Sequence, residues 1–392
     1  MLKIGLDTSA LDPQFKKHSV RGIGRYVTEL TKSFQEIGSD LVDVTPFTYS
    51  NVQSSTCFGR FFNKCIDLAP LGKMTLRQQV AYPVQLRMGA MSQSDILHFP
   101  AHMDAPAFGG AKYVLTLLDL IPLIFSDLYK AEQPNWRFHF ARWLEIRSIK
   151  NASKILAISQ CTADDAHRIL GIPYEKIEVT PLGVDSSFFD RSSQDKGAIR
   201  KRYKLSGFDS LILYVGGIDQ RKNIDVLLEI FAQVKEKAKE QCDEKVGLVL
   251  LGSIRKEKQY PKLCQQCETL GIVDDVVMPG FVPDEDLIAL YQACDLFLFP
   301  SLYEGFGFPP LEAMAAGLPV VSSNTSSMPE VLGDAAYYFE PTDVEQGVEA
   351  VCRVLFNEQV AAELKEKGRV QARKFTWSRT AEKTLRAYES LV

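Results

Sequence analysis

The chain has no long hydrophobic run. Nowhere do about 18 consecutive apolar residues occur, the length that a transmembrane helix requires. The first residues, Leu2 to Leu6, read as a buried strand, whereas a signal peptide would be longer and would carry a cleavage site. An excess of basic residues is also missing, since the net charge is −4, and this argues against nucleic acid as a partner. We therefore expect a cytoplasmic protein.

Cysteine is scarce and scattered. Eight cysteines in 392 residues show no disulfide framework, which favours reduced thiols in a cytosol. Cys264 and Cys267 form a C-x-x-C pair with no second pair nearby, so we interpret them as neighbouring surface thiols rather than zinc ligands. The chain also lacks an Asp-x-Asp motif at the end of a predicted strand. We expect no metal ion and no other cofactor.

The pattern of apolar runs predicts two α/β domains. The chain exceeds one typical domain, and its 46% hydrophobic content suffices for two cores. Alternating strand and helix patterns predict a doubly wound parallel sheet in each half. The polar stretch 190–197 is the predicted linker between domains 1–190 and 198–375. The predicted strands are Leu2–Leu6, Leu41–Phe47, Asp95–Phe99, Tyr113–Leu118, Lys154–Ile158 and Ile177–Thr180, then Leu211–Val215, Val246–Leu251, Asp275–Met278, Asp295–Phe299, Pro319–Ser322 and Ala335–Phe339.

The most informative segment is SLYEGFGFPPLEAMAAG, residues 301–317, which holds Glu304 and Glu312 eight positions apart. A strand is predicted before it, and the run 311–316 predicts a helix that ends at Gly317. Glu304 then lies in a glycine-bearing loop and Glu312 in the first turn of the helix. Free N–H groups at a helix start attract an anion such as a diphosphate. The carboxylates could accept hydrogen bonds from a sugar and a ribose. The alternative is two solvated acids without a ligand.

A second phosphate signal follows the predicted strand Leu211–Val215. Gly216 and Gly217 permit a tight turn, and Arg221, Lys222 and Asn223 are predicted to open the next helix. Two cations beside a helix start can neutralise a diphosphate and stabilise its departure. The alternative is an ordinary turn with two surface cations.

These motifs resemble the retaining glycosyltransferases of family 4, which have the GT-B fold. The resemblance covers most of the chain and is most specific between Gly280 and Pro341. Residues 119–122 (DLIP), 216–223 (GGIDQRKN) and 333–336 (GDAA) are similar to those of bacterial mannosyltransferases that build surface polysaccharides. The resemblance implies two Rossmann-like domains that face each other across a cleft. It also implies that the C-terminal helix, residues 376–392, returns to the first domain.

The resemblance also implies the reaction and the roles of residues. A hexose, expected to be mannose from GDP-mannose, would pass with retention to a saccharide or lipid-linked saccharide acceptor. Arg221 and Lys222 would hold the diphosphate, Glu304 the sugar and Glu312 the ribose. The other donor-binding residues would be Gly22, Gly24, Gly216, Gly217, Gly252, Ser253, Phe281, Val282, Gly305, Phe306, Gly307 and Phe308. Many of these glycines could equally be ordinary turn residues.

The chain departs from the family at Leu118, where many relatives carry a histidine before an aspartate. Asp119 is kept, and we expect it either to do polar work near the acceptor hydroxyl or to cap a turn. His98 and His102 are second candidates for the same region. Because Leu118 replaces the histidine, one alternative function is that of a non-catalytic subunit that binds a nucleotide sugar. A sugar-nucleotide epimerase or a phosphorylase on the same fold is another.

Two segments mix cations with aromatic residues and suggest an acceptor side. Residues 53–94 contain five cationic residues against one acidic residue, and residues 136–150 read WRFHFARWLEIRSIK. Such segments can rest on an anionic membrane, which predicts peripheral contact with the inner face of the cell membrane. The alternative for 136–150 is a helix whose aromatic residues pack into the core while its cations meet water.

Overall fold

The computed structural model describes residues 1–12, 22–38, 42–48, 94–108, 112–125, 136–190 and 195–392, which form two compact units. The first contains Met1–Gly183 and Thr376–Val392, and the second Val184–Phe375. The second unit therefore begins before the predicted linker. Its first and last residues are bonded to each other, since the N–H of Val184 donates to the carbonyl of Phe375 at 3.1 Å. Of that linker, 191–194 lie outside the described residues, and Lys196 already begins a helix.

The first unit is built on a parallel sheet of six strands in the order β2-β1-β3-β4-β5-β6. The strands are β1 (Leu2–Asp7), β2 (Val42–Phe47), β3 (Ile96–Phe99), β4 (Tyr113–Leu117), β5 (Lys154–Ala157) and β6 (Ile177–Val179). The described helices of this unit are α1 (Gly22–Ile37), α2 (Ile121–Ile124), α3 (Trp136–Asn151), α4 (Gln160–Leu170) and, at the chain end, α13 (Trp377–Glu389). The central strands β3 and β4 are buried throughout because helices cover both faces of such sheets.

Helix α13 is anchored to the first unit by a buried polar network. The hydroxyl of Tyr388 on α13 bonds to Nδ1 of His98 at 2.6 Å, and Nε2 of His98 bonds to Oγ1 of Thr116 at 2.8 Å. Tyr26 of α1 joins the same Thr116 hydroxyl at 2.9 Å. Burial lowers the pKa of His98 to about 3, so the imidazole stays neutral at ordinary pH. His98 is thus a structural residue that ties β3 to the terminal helix.

The second unit has another parallel six-stranded sheet, in the order β12-β11-β10-β7-β8-β9. Its strands are β7 (Ser210–Val215), β8 (Val246–Leu251), β9 (Val276–Gly280), β10 (Leu296–Phe299), β11 (Val320–Ser323) and β12 (Ala336–Phe339). Its described helices are α5 (Lys196–Arg202), α6 (Ile224–Cys242), α7 (Tyr260–Thr269), α8 (Asp284–Ala293), α9 (Phe308–Ala316), α10 (Met328–Leu332), α11 (Val344–Leu355) and α12 (Glu358–Ala372). All twelve predicted strands are present, and the predicted pair of parallel sheets is confirmed.

The strand order of the second sheet reverses between β7 and β10. From β7 the chain builds outward through β8 and β9, then returns to the other side of β7 and builds through β10, β11 and β12. In open α/β sheets, ligands bind beyond the carboxyl ends of the strands at such a reversal. The loops after β7 and β10 are therefore where this unit is expected to bind a ligand.

Two further features of the fold concern membrane-spanning helices and the Cys264–Cys267 pair. Within the part of the chain that the structure describes, no helix is long and apolar enough to cross a membrane. Cys267 is buried on α7 and Cys264 is half-buried, so the interpretation of this pair as surface thiols is wrong for Cys267. Its side chain packs inward with Leu263, one helical turn earlier, on the buried face of the helix.

Candidate active site

The loops after β7 and β10 meet in a buried ion-pair cluster. The carboxylate of Glu304, after β10, accepts hydrogen bonds from Nζ of Lys222 at 2.6 Å and from Nη1 of Arg221 at 2.9 Å. Glu304 is only 9% exposed and Lys222 is also buried, which excludes solvated side chains without partners. The structure thus brings together the three residues that were predicted to hold the diphosphate and the sugar.

The ionisation of Glu304 is controlled by these cations. Burial alone would raise the pKa of its carboxyl, but the neighbouring Lys222 and Arg221 hold that pKa below its ordinary value. Glu304 is therefore a carboxylate at neutral pH. Lys222 also lies over the ring of Phe299, 5.3 Å from its centroid, which adds a cation–π contact to its surroundings.

Main-chain and hydroxyl contacts fix the two loops. The N–H of Leu302 donates to the carbonyl of Arg221 at 2.7 Å. The N–H of Glu304 donates to Oγ of Ser326 at 2.9 Å, and the hydroxyl of Ser327 contacts the carbonyls of Glu304 and Phe306 at 2.9 and 3.0 Å. The two serines were not predicted as site residues. Ser326 has a positive φ of 52°, and the local sequence does not predict this backbone conformation.

Helix α9 begins at Phe308, too early in the chain for Glu312 to lie in its first turn. Glu312 is its fifth residue and lies in the second turn, so the prediction of a first-turn acid is wrong. Pro309 and Pro310 carry no N–H, and the N–H of Leu311 donates to the carbonyl of Gly307 at 3.3 Å. This helix start therefore has fewer N–H groups to offer an anion than a helix start without the two prolines.

Glu312 is nonetheless buried, at 5% exposure, and one of its carboxylate oxygens accepts a hydrogen bond from the hydroxyl of Tyr291 at 3.0 Å. Gly307 begins the helix with φ of 103°, and a side chain there would lie 2.4 Å from the methyl group of Met328. The loop Gly305–Phe308 is buried apart from Phe308, which is half-buried, and the ring of Phe306 packs against those of Phe308 and Phe375. The ring of Phe306 is part of the hydrophobic core.

The carboxyl ends of β7, β8 and β9 form an edge lined by glycine. A Cβ on Gly252 would lie 2.2 Å from the carbonyl oxygen of Gly216, and one on Gly217 would lie 2.8 Å from the carboxylate of Glu257. The N–H of Gly252 in turn bonds to the carbonyl of Gly280. Ser253 follows on this edge. Beyond Gly280, Phe281 is 72% exposed whereas Val282 is buried.

The predicted residues of the first unit lie near the carboxyl ends of its strands or at the start of α1. Gly22 and Gly24 form the first turn of α1, and Gly24 is buried there. Asp119, two residues beyond β4, accepts a hydrogen bond from the N–H of Ile121 at 3.1 Å, which is the turn-capping geometry. His102 pairs through Nε2 with the carboxylate of Glu145 at 2.8 Å. Leu118 is half-buried beside Asp119.

Helix α3 exposes aromatic side chains instead of burying them. Trp136, Phe140 and Trp143 are 58%, 41% and 48% exposed, so the prediction that the aromatic residues of this segment pack into the core is wrong for these three. The guanidinium of Arg147 lies 4.9 Å from the ring centroid of the exposed Phe108 and 5.7 Å from that of Trp143. We call these five residues the aromatic face. Of the other basic segment, residues 53–93 lie outside the described residues.

Among the described residues, no three His, Cys, Asp or Glu side chains lie close enough together to hold a metal ion. The second unit is a doubly wound α/β domain with two cations, the half-buried Arg221 and the buried Lys222, and the buried carboxylate of Glu304 at its switch point.

Comparisons with known proteins define the family. Residues 20–188 match Glycosyltransferase Family 4, and residues 195–371 match Glycosyl transferases group 1. The chain belongs to the glycosyltransferases that combine these two domains. It is 29% identical to O-antigen chain mannosyltransferase B of Escherichia coli over 390 residues, covering 96% of this chain and 97% of that protein.

Another relative is longer than this chain. The serotype-specific mannosyltransferase WbdA of Escherichia coli is 31% identical over 284 residues, which is 72% of this chain but 34% of WbdA, so the match spans about a third of that relative. Among solved structures, HepE of Anabaena in complex with UDP and glucose superimposes with a TM-score of 0.71 at 19% identity, covering both chains completely. The fold is that of the GT-B glycosyltransferases.

Proposed function

We propose that this glycosyltransferase transfers mannose from GDP-mannose to a saccharide acceptor, with retention of the anomeric configuration, during assembly of a surface polysaccharide. The observation that carries the proposal is the buried cluster of Arg221, Lys222 and Glu304 at the switch point of the second sheet. Mannose and the polysaccharide are supported by the two relatives described as mannosyltransferases, one of them acting on an O-antigen chain.

Transfer of a sugar leaves negative charge on the departing nucleoside diphosphate. Arg221 and Lys222 lie side by side, buried or half-buried, where their charges are screened less than they would be in water. Preformed charges aimed at a developing anion lower the barrier without reorganisation at the moment of reaction. In this proposal Glu304 releases part of its contact with the cations when the diphosphate binds, and its carboxylate then accepts hydrogen bonds from the sugar hydroxyls.

The same cation pair argues that no divalent metal is needed for catalysis, because the two side chains supply the positive charge that a metal supplies in other transferases. Activity should therefore survive incubation with EDTA followed by gel filtration. A strict requirement for added magnesium or manganese would contradict this part of the proposal.

The deciding experiment uses the purified full chain and a calorimetric panel of GDP-mannose, GDP-glucose, UDP-glucose and ADP-glucose. We expect GDP-mannose to bind tightest. Incubation with radiolabelled GDP-mannose and a mannose-terminated oligosaccharide should yield a longer product, and NMR of the new anomeric carbon should show retention. Conversion of the donor sugar without an acceptor would indicate an epimerase. Donor binding without any transfer would indicate a binding subunit.

We also propose that the aromatic face, formed by Phe108, Trp136, Phe140, Trp143 and Arg147, contacts an anionic membrane that carries a lipid-linked acceptor. Exposed tryptophan beside arginine suits the interface between head groups and water. Vesicles of phosphatidylglycerol should bind the protein, and vesicles of phosphatidylcholine should bind it less.

A Phe140→Ala/Trp143→Ala double variant tests this contact. Its retention on anionic vesicles should fall, whereas Tyr174→Ala, which removes an exposed aromatic residue from another part of the same unit, should not change it. Equal retention of both variants and the wild type would refute the membrane contact and leave the transferase proposal intact.

A further inference from the structure

Asn223 begins helix α6 in an unusual way. An asparagine at the start of a helix ordinarily accepts a hydrogen bond from the amide of the second or third helical residue. The Asn223 side chain makes no such bond to α6, and its backbone has φ of 56° and ψ of 41°, in the left-handed region. Its side chain is used elsewhere.

The amide of Asn223 joins three loops at the carboxyl edge of the second sheet. Nδ2 donates to the carbonyl of Pro300 at 3.1 Å and to the carbonyl of Pro341 at 2.7 Å. Carbonyl oxygens only accept, so the nitrogen end of the amide has to face both of them. Pro300 follows β10 and Pro341 follows β12, whereas Asn223 itself ends the loop after β7.

The neighbours of Asn223 in the sequence are the phosphate-binding cations. Lys222 directly precedes it, and the carbonyl of Arg221 accepts the N–H of Leu302 at 2.7 Å. The hydrogen bond from Asn223 to Pro300 is a second link between the same two loops, two residues further along the chain. The two links together set the direction in which Arg221 and Lys222 project. Without the amide, the end of the loop after β7 would lose the hydrogen bonds of Asn223 to the loops after β10 and β12 and would keep the side-chain contacts of Arg221 and Lys222 with Glu304.

We propose that Asn223 is a positioning residue, which holds Arg221 and Lys222 in register with the Glu304 loop so that the site receives a diphosphate without rearranging. The inference rests on the proposed function, because it assigns the purpose of the cation pair to diphosphate binding. Asn223 acts through those two side chains. Preformed geometry of this kind is what lowers the entropic cost of binding and transfer.

The chemistry of the position explains why asparagine occupies it. The left-handed backbone favours glycine, asparagine or aspartate. Glycine would keep the backbone but lose both hydrogen bonds. Aspartate would place a carboxylate against two carbonyl oxygens. Asparagine alone among the three combines the backbone conformation with a two-proton donor.

The test compares Asn223→Gly with the matched control Asp243→Gly. Asp243 lies at the other end of α6, is also left-handed with φ of 55°, and has no part in the site. Both substitutions keep the backbone conformation, and only the first removes the amide that links the loops. Binding of GDP and of inorganic pyrophosphate is measured by calorimetry, and turnover is measured at saturating GDP-mannose.

In Asn223→Gly we expect both ligands to bind roughly five- to tenfold more weakly, as the loss of one or two hydrogen bonds predicts. Turnover should fall by about 10- to 100-fold, because small misplacements are costly in catalysis. The loss should be equal for GDP and pyrophosphate, since the cations and not the base are displaced. Asp243→Gly should match the wild type in all three measurements.

Wild-type affinity of Asn223→Gly for pyrophosphate would overturn the inference, and so would a loss confined to GDP. If the wild type itself bound neither ligand, the proposed function would fail and the inference with it. Should Asn223→Gly not fold, as judged by circular dichroism, the neutral Asn223→Ser, which has one hydroxyl proton to donate in place of the two amide protons, replaces it and should weaken the binding of both ligands equally.

Discussion

Replacing Glu304 by glutamine should strengthen the binding of a nucleoside diphosphate. The carboxylate accepts hydrogen bonds from Lys222 at 2.6 Å and from Arg221 at 2.9 Å, so an incoming diphosphate has to share those cations with it or displace it. Glutamine keeps the shape of the side chain and one acceptor oxygen but carries no charge. The two cations would then no longer be held by the charge of Glu304, and Nε of Arg221 would keep its ion pair with Oδ1 of Asp219 at 3.1 Å.

The magnitude follows from the geometry of the cluster. A diphosphate oxygen bound to the same cations would lie roughly 5 Å from the carboxylate, where two unit charges interact by about 3 kcal/mol at an effective dielectric constant of about 20. Movement of Glu304 and the partial exposure of Arg221 reduce this value. We expect a gain of about 1–2 kcal/mol, or roughly 5- to 30-fold tighter binding.

Calorimetry with GDP and with inorganic pyrophosphate measures the effect on the wild type and on Glu304→Gln. Glu312→Gln is the matched control, because it makes the same chemical change at a buried carboxylate that is bonded to Tyr291. Pyrophosphate binding should tighten only in Glu304→Gln. Turnover of GDP-mannose should nevertheless fall in that variant, since the proposed contact with the sugar is weakened.

Unchanged or weaker binding of pyrophosphate by Glu304→Gln would refute the reasoning, because the carboxylate would then not compete for the cations. An equal gain in Glu312→Gln would also refute it. That result would show a general effect of removing negative charge from this unit.

Three other perturbations test separate parts of the molecule. The double variant Arg221→Ala/Lys222→Ala should weaken pyrophosphate binding by more than roughly a hundredfold, since each charged hydrogen bond lost costs about 1.5–3 kcal/mol; wild-type affinity would exclude the cation pair as the phosphate site. Gly252→Ala places a methyl group 2.2 Å from the carbonyl oxygen of Gly216 and should cost about 1–3 kcal/mol of stability, measured by circular dichroism; an unchanged transition would contradict the close approach. Burial lowers the pKa of His98 to about 3, so between pH 6.5 and 3 the unfolded chain binds more protons than the folded one, and stability should fall as the pH drops, by up to about 1.4 kcal/mol per unit. His98→Gln should flatten that slope in urea unfolding followed by tryptophan fluorescence, which reports on the first unit because all three tryptophans lie there, and an unchanged slope would exclude His98 as its source.

The residue pattern alone predicted all twelve strands and made Arg221, Lys222 and Glu304 candidates for the site. Strands such as β8 are short apolar runs bounded by polar or glycine-bearing turns, and this signal is local. Arg221, Lys222 and Glu304 were recognisable because each follows a predicted strand within a few residues. Position at the end of a strand in a doubly wound fold is enough to place a side chain at the ligand-binding edge.

The local pattern failed where helix limits or side-chain directions mattered. Glu312 was expected in the first turn of α9, but the helix starts at Phe308, one residue after the left-handed Gly307. The aromatic residues of α3 were compatible with a membrane-facing or a core-packed helix, because the local sequence does not show which side of a helix the rest of the unit covers. Trp136 and Trp143 proved to be exposed.

What the sequence by itself determined is the alternation of strands and helices and the kinds of side chain at the strand ends. Only the tertiary structure decided which of those ends meet. Glu304 lies 82 and 83 residues from the two cations that it contacts, and they come together because β10 pairs with β7 and not with β9, the strand before it in the chain. Strand order depends on how whole sheets pack and close, and no local run of residues encodes it. The bridging role of Asn223 and the hydroxyl contacts of Ser326 and Ser327 follow from that order for the same reason.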